Sequence, residues 1–159
     1  MSYAKATNKI TFTVTIATLF TEVQKESAAI AKNKYGQDGP QIDRIAVTED
    51  EQPFFEKYMG DVKDEILSRL VNLCFGIAAP VTQDATKIEF VIVDKAGYQE
   101  ASVIDMDRAI FKAFVNGILA QWLLKVELPD LAKVYFSQKE NALSAITNQS
   151  VELRKPTLA

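Results

Sequence analysis

The sequence predicts a mainly α-helical domain, a helical bundle with an inserted β-hairpin, that ends in an extended C-terminal tail. Three observations lead there. Ile110, Phe114, Ile118, Trp122 and Val126 fall in one row at helical spacing, widened by Phe111, Val115 and Leu119. Past Pro129 the period resumes with Leu131, Val134, Tyr135, Ala142, Ala145 and Ile146, while Lys133, Gln138, Lys139 and Glu140 fall toward the other face. Two such segments joined by a short proline-containing link are expected to fold back as a helical hairpin. The third observation is Lys87-Ile-Glu-Phe-Val-Ile-Val93, the clearest strand in the chain.

The remaining elements follow in order. Ile10-Thr-Phe-Thr-Val-Thr-Ile16 alternates apolar residues with threonine, the period of a strand with one face buried. The alternative is a helix that starts early and absorbs residues 13–16. From Ala17 the period is helical through Phe20, Val23, Ser27, Ile30 and Ala31, and the helix is expected to end between Asn33 and Gly36. Residues 35–41, with two glycines and Pro40, have loop composition. Thr48-Glu-Asp-Glu51 fits a capping box, and Pro53 falls in the first turn of the helix it opens, where a missing N–H costs nothing. Phe55, Tyr58, Met59, Val62, Ile66, Leu70 and Leu73 form the inner stripe of that helix, which Gly76 and Pro80 end by Ala79. Asp94-Lys-Ala-Gly97 is a turn after the clear strand, and residues 98–104 are expected to return beside it, giving a β-hairpin over about 87–104. Asp105 is then expected to cap the central helix, with Leu128 as a staple before the last one. One domain over residues 1–147 and a tail over 148–159 complete the organisation.

Composition narrows the chemistry. The chain has 159 residues, 48% of them apolar, enough for a core. Its 18 basic and 21 acidic residues leave a net charge of −3, which argues against general affinity for nucleic-acid phosphate. There is no histidine, so Ser-His-Asp and Cys-His nucleophile systems and histidine-containing zinc sites are excluded. Cys74, the one cysteine, lies among Leu70, Val71, Leu73 and Phe75, where a thiol acts as a small hydrophobe. Lys5 and Lys9 ahead of residues 10–20 imitate a signal peptide, but threonines interrupt the apolar run and Glu22, Lys25 and Glu26 follow it; a soluble, unprocessed chain is expected.

No enzyme, cofactor or metal is expected. Asp105 and Asp107 are the nearest approach to a carboxylate pair, and capping with helix-dipole complementarity accounts for both. Asp61, Asp64 and Glu65 interleave with Lys57, Lys63 and Arg69 at helical spacing, as on a solvated face with weak ion pairs. The glycines are scattered and form no phosphate loop. Asn148-Gln-Ser150 matches a glycosylation sequon, a tripeptide that arises easily by chance. Gly117, inside the central helix, either admits a neighbouring helix or is a tolerated weak point. In the tail, Val151 and Leu153 alternate like a strand that adds to a partner's sheet edge or lies in a groove. Arg154 and Lys155 add charge for docking on an acidic surface.

Residues 109–122, Ala-Ile-Phe-Lys-Ala-Phe-Val-Asn-Gly-Ile-Leu-Ala-Gln-Trp, and residues 130–143, Asp-Leu-Ala-Lys-Val-Tyr-Phe-Ser-Gln-Lys-Glu-Asn-Ala-Leu, carry a resemblance. The stretch that begins near Thr48 resembles the head-to-tail adaptor proteins of short-tailed phages, including the neck ring proteins of crAss-like phages. Residues 1–40 have no counterpart in it. The resemblance implies a homo-oligomeric ring, typically a dodecamer, placed between the portal and other neck or tail proteins. In it DNA passes only as cargo, no membrane is involved, and an extended C-terminal segment docks on the portal. It further implies assembly in the host cytoplasm and residence in the virion neck. A non-viral helical scaffold or regulator, or an enzyme assembled from distant carboxylates, are the other classes the residues leave open.

Overall fold

The computed structural model describes residues 2–6, 9–36, 42–71, 81–93 and 100–152. The fold is mainly helical with a small antiparallel sheet. In chain order the elements are β1 (Ser2–Ala6), β2 (Lys9–Thr15), α1 (Ile16–Tyr35), α2 (Ile42–Ile45), α3 (Gln52–Val71), β3 (Val81–Gln83), β4 (Lys87–Val93), α4 (Glu100–Lys125) and α5 (Pro129–Glu152). One turn of 3-10 helix, Glu49–Glu51, precedes α3.

The threonine-alternating segment is a strand, and the helix begins only after it. β2 buries Ile10, Phe12 and Val14 and turns its threonines away. It pairs antiparallel with β4 in the register Ile10↔Ile92, Phe12↔Phe90, Val14↔Ile88, which puts six buried side chains on one face. The sheet order is β1-β2-β4-β3. β1, which the sequence reading did not identify, adds to the outer side of β2 with Tyr3 opposite Phe12.

The hairpin runs in the opposite direction along the chain from the one expected. Residues 100–104 are the first turns of α4, so no strand returns there; Tyr98 and Gln99 lie outside the described residues. β4 is instead the second strand of a hairpin that β3 opens, with Val81 opposite Phe90. Asp84 holds its turn: the carboxylate accepts from the Thr86 N–H (2.7 Å), the Thr86 hydroxyl (2.7 Å) and the Lys87 N–H (2.9 Å). Those bonds, the Thr86 hydroxyl foremost, hold the Asp84 carboxyl below the usual carboxylate range. On the other side of β4, the central partner β2 comes from the far end of the sequence.

The helical hairpin is as expected, with α4 and α5 joined at Pro129. Its link is a Schellman turn. The Leu128 N–H donates to the Leu123 carbonyl (2.8 Å), the Glu127 N–H donates to Leu124 (3.1 Å), and Glu127 takes the left-handed conformation at φ 62°. Leu123 and Leu128 are both buried in the small cluster this turn encloses. The apolar row behaves as its spacing requires: Ile110, Phe114, Ile118 and Leu119 are fully buried, and Trp122 is 3% exposed. Each such side chain contributes about 1.5–3 kcal/mol relative to exposure. Phe90 from the sheet and Phe114 from α4 meet at 6.2 Å between ring centroids, and Phe20 from α1 meets Phe55 from α3 edge-on at 4.9 Å.

Five other expectations require correction. Thr48 occupies the N-cap position but makes no side-chain cap; Glu51 does not reach back to it and instead accepts from Lys125 Nζ at 2.7 Å. A charged partner displaces the weaker local bond. Asp105 lies in the second turn of α4 rather than at its cap, exposed and 4.0 Å from Arg108. Val134, placed by its spacing on the inner stripe, is 49% exposed, and Lys139, placed outside, is 8% exposed. The tail does not become extended at residue 148, because α5 continues to Glu152. α3 is helical through Val71; the end expected at Ala79, with Leu73, Cys74, Gly76 and Pro80, lies outside the described residues, as does most of the loop at 35–41.

Candidate functional site

α4 is apolar on most of its circumference, which makes its polar row conspicuous. Asp105, Arg108, Lys112 and Asn116 recur at three- and four-residue spacing and share one face. α5 and α1 flank that face without covering it. The result is an open groove of about 900 Å³. From α5 it receives Tyr135, Gln138, Ala142 and Ala145 at the same helical spacing, and from α1 it receives Glu22 and Glu26, one turn apart. Phe111 and Val115 supply apolar surface from α4.

Its chemistry is mixed. Glu22 and Glu26 make the α1 wall acidic, with Lys25 3.8 Å from Glu22. Gln138, Asn141 and Asn116 bring carboxamides, each able to donate and accept. Burial, and secondarily the Glu26 charge, push the Tyr135 phenol above its ordinary range.

A second, shallower recess of about 500 Å³ lies between α3 and α5, lined by Asp61, Asp64, Glu65, Ser68, Arg69 and Leu143. The charged residues expected to pair within α3 reach other elements instead. Glu65 accepts from Lys139 Nζ at 2.8 and 3.1 Å, Arg69 meets Glu140 at 3.5 Å, and Lys63 donates to Gln83 of β3 at 2.8 Å. Among the described residues no group of three or more His, Cys, Asp or Glu is placed to hold a metal ion. No described helix is long and apolar enough to cross a membrane.

The structure separates the two aspartates. Asp105 faces the groove and the solvent, whereas Asp107 has a buried Oδ1 with no hydrogen-bond partner among the described residues, and burial raises its carboxyl above the usual range. Of the docking residues expected in the tail, Val151 lies in the last turn of α5, and Leu153, Arg154 and Lys155 lie outside the described residues. The sequence reading did not find the groove. Its signal was present in the polar row on α4, but only the packing of α1 and α5 shows that the row lies between two walls.

Compared with protein families, with characterised proteins and with solved structures, the chain matches none.

Proposed function

We propose that this chain is a structural subunit of a phage head-to-tail adaptor, a ring of identical copies that joins the portal to the tail and continues the DNA channel. The observation that supports it most is the α4–α5 hairpin: a long, densely packed pair of helices whose outer surface keeps an open groove of apolar and mixed-charge character. A surface of that kind serves repeated protein contact. Contacts between unlike patches of identical copies close into a ring when the rotation divides the circle.

The other features fit the same reading. A net charge of −3 disfavours tight phosphate binding by the lining of a passage through which DNA moves as cargo. The C-terminal residues Val151, Leu153, Arg154 and Lys155 serve as an attachment arm. The partners are copies of this chain, the portal and further neck or tail proteins, met during assembly in the host cytoplasm and retained in the virion neck. Co-sedimentation of the full chain with the portal protein of the same phage tests the reading. A stoichiometric complex is expected, and a chain that remains a monomer or dimer beside the portal points to a non-viral helical scaffold instead.

A further inference from the structure

We propose that the groove between α1, α4 and α5 seats the C-terminal segment of a neighbouring copy, Leu153-Arg154-Lys155-Pro156-Thr157-Leu158, so that each subunit is tied to the next by an arm laid in a groove. The proposal rests on the ring reading and gives the arm a different seat from the portal.

Complementarity is the first support. The α1 wall presents Glu22 and Glu26 and the α4 wall carries Arg108 and Lys112, so the side-by-side Arg154 and Lys155 of the segment are drawn to the α1 side. Phe111, Val115, Ala142 and Ala145 offer apolar contact to Leu153 and Leu158. An extended chain brings unpaired N–H and C=O groups into whatever site it enters, and the carboxamides of Gln138 and Asn141 can satisfy both kinds. Lys155 precedes a proline, which biases it to extended backbone. The lengths also agree: from Tyr135 to Ala145 the groove follows α5 for about 15 Å, and six extended residues span roughly 20 Å.

Reach decides which copy supplies the arm. The part of the groove that α5 lines runs from Ala145 back to Tyr135, against the direction in which the chain leaves it. α5 carries the chain from Tyr135 away to Glu152, about 25 Å along its axis. Arg154 and Lys155 follow within three residues, which together extend only ~10 Å, and an arginine side chain adds roughly half a dozen ångströms. The basic pair of one copy therefore falls short of the Tyr135 end of its own groove, even before the chain is reversed, whereas a second copy can lay the whole segment along it.

Two full-length variants, Ala145→Cys and Leu158→Cys, test this when mixed under mild oxidation, with each variant alone and the unsubstituted chain, which retains Cys74, as blanks. A covalent dimer that forms only in the mixture is expected. Glu22→Lys with Glu26→Lys should weaken self-association about tenfold, and Arg154→Glu with Lys155→Glu on the partner copy should restore it. Mass photometry of the same samples reports the ring independently. Rings without the mixed disulfide overturn the groove assignment alone, and the absence of both overturns it together with the ring. A disulfide that closes only within one chain of the double variant assigns the groove to the chain's own arm and also overturns the proposal.

Discussion

Lys139 of α5 lies across Gly117 of α4 and places its ammonium 2.8 Å from the Glu65 carboxylate of α3. Three helices meet at that point. A Cβ on Gly117 would stand 2.5 Å from Val62 Cγ2 and 3.1 Å from Lys139 Cδ, so the missing side chain lets α3 and the lysine stem approach α4 together.

Gly117→Ala is accordingly expected to lower stability by ~1–3 kcal/mol, although alanine is the better helix former by about 1 kcal/mol. Val62 is β-branched and has little rotameric freedom with which to yield. Urea denaturation of the single and double variants checks this. Val62→Ala should be less costly in the Gly117→Ala background than alone, with a coupling of at least ~0.5 kcal/mol.

The two ends of the Lys139–Glu65 pair are not equivalent. The lysine side chain is 10% exposed and the glutamate 42%. Glu65→Gln leaves a buried ammonium with Glu140, 3.6 Å away, as its remaining carboxylate among the described residues and the Phe136 ring at 5.5 Å, and is expected to cost ~1–3 kcal/mol. Lys139→Met leaves a carboxylate that water can reach and should change stability by less than ~1 kcal/mol. Equal losses in chemical denaturation would contradict this asymmetry.

Trp122 donates from Nε1 to the Ile45 carbonyl at 2.6 Å, its ring stacks edge-on against Phe54 at 5.1 Å, and Lys125 lies over both rings while pairing with Glu51. This cluster fastens the end of α4 to α2 and the start of α3. Trp122→Phe keeps most of the apolar contact and strands the carbonyl, at a cost of about 1–2 kcal/mol, whereas Trp122→Ala should cost ~3–5 kcal/mol. Thermal unfolding of the two variants should separate them by that margin.

Asp107 makes a pH-dependent prediction. Burial raises its carboxyl above the unfolded value, so the folded state binds the proton more tightly. Stability is therefore lost as pH rises from the ordinary carboxylate range through the raised folded value, and stays lower above it. Asp107→Asn should melt higher than the parent at neutral pH, with the difference shrinking as the pH falls below the unfolded carboxylate value. A difference independent of pH would assign the effect to something other than this carboxyl.

The fold was legible where periodicity alone determines an element. The row from Ile110 to Trp122, the alternation in β2 and β4 and the break at Pro129 each describe a segment by its own residues. What joins to what was not legible. Alternation in β4 says that one face is buried but not that its central neighbour is β2, from the other end of the chain, or that β3 precedes it. Residues 100–104, Glu-Ala-Ser-Val-Ile, suit strand or helix by composition, and they form the first turns of α4 with Val103 buried in the core. Lys139 reads as exposed because it is charged, yet its long stem is apolar and Gly117 leaves a channel for it. The groove depends on three helices at once, and the docking residues Leu153, Arg154 and Lys155 lie beyond the described residues.

The size and symmetry of the purified full chain test the central claim most directly, by mass photometry and electron-microscopic class averages at micromolar concentration. The ring reading predicts a closed particle with one rotational symmetry axis, a dodecamer if it follows the adaptors it resembles, and a central opening wide enough for duplex DNA. A population that remains monomeric or dimeric both alone and with the portal protein contradicts it.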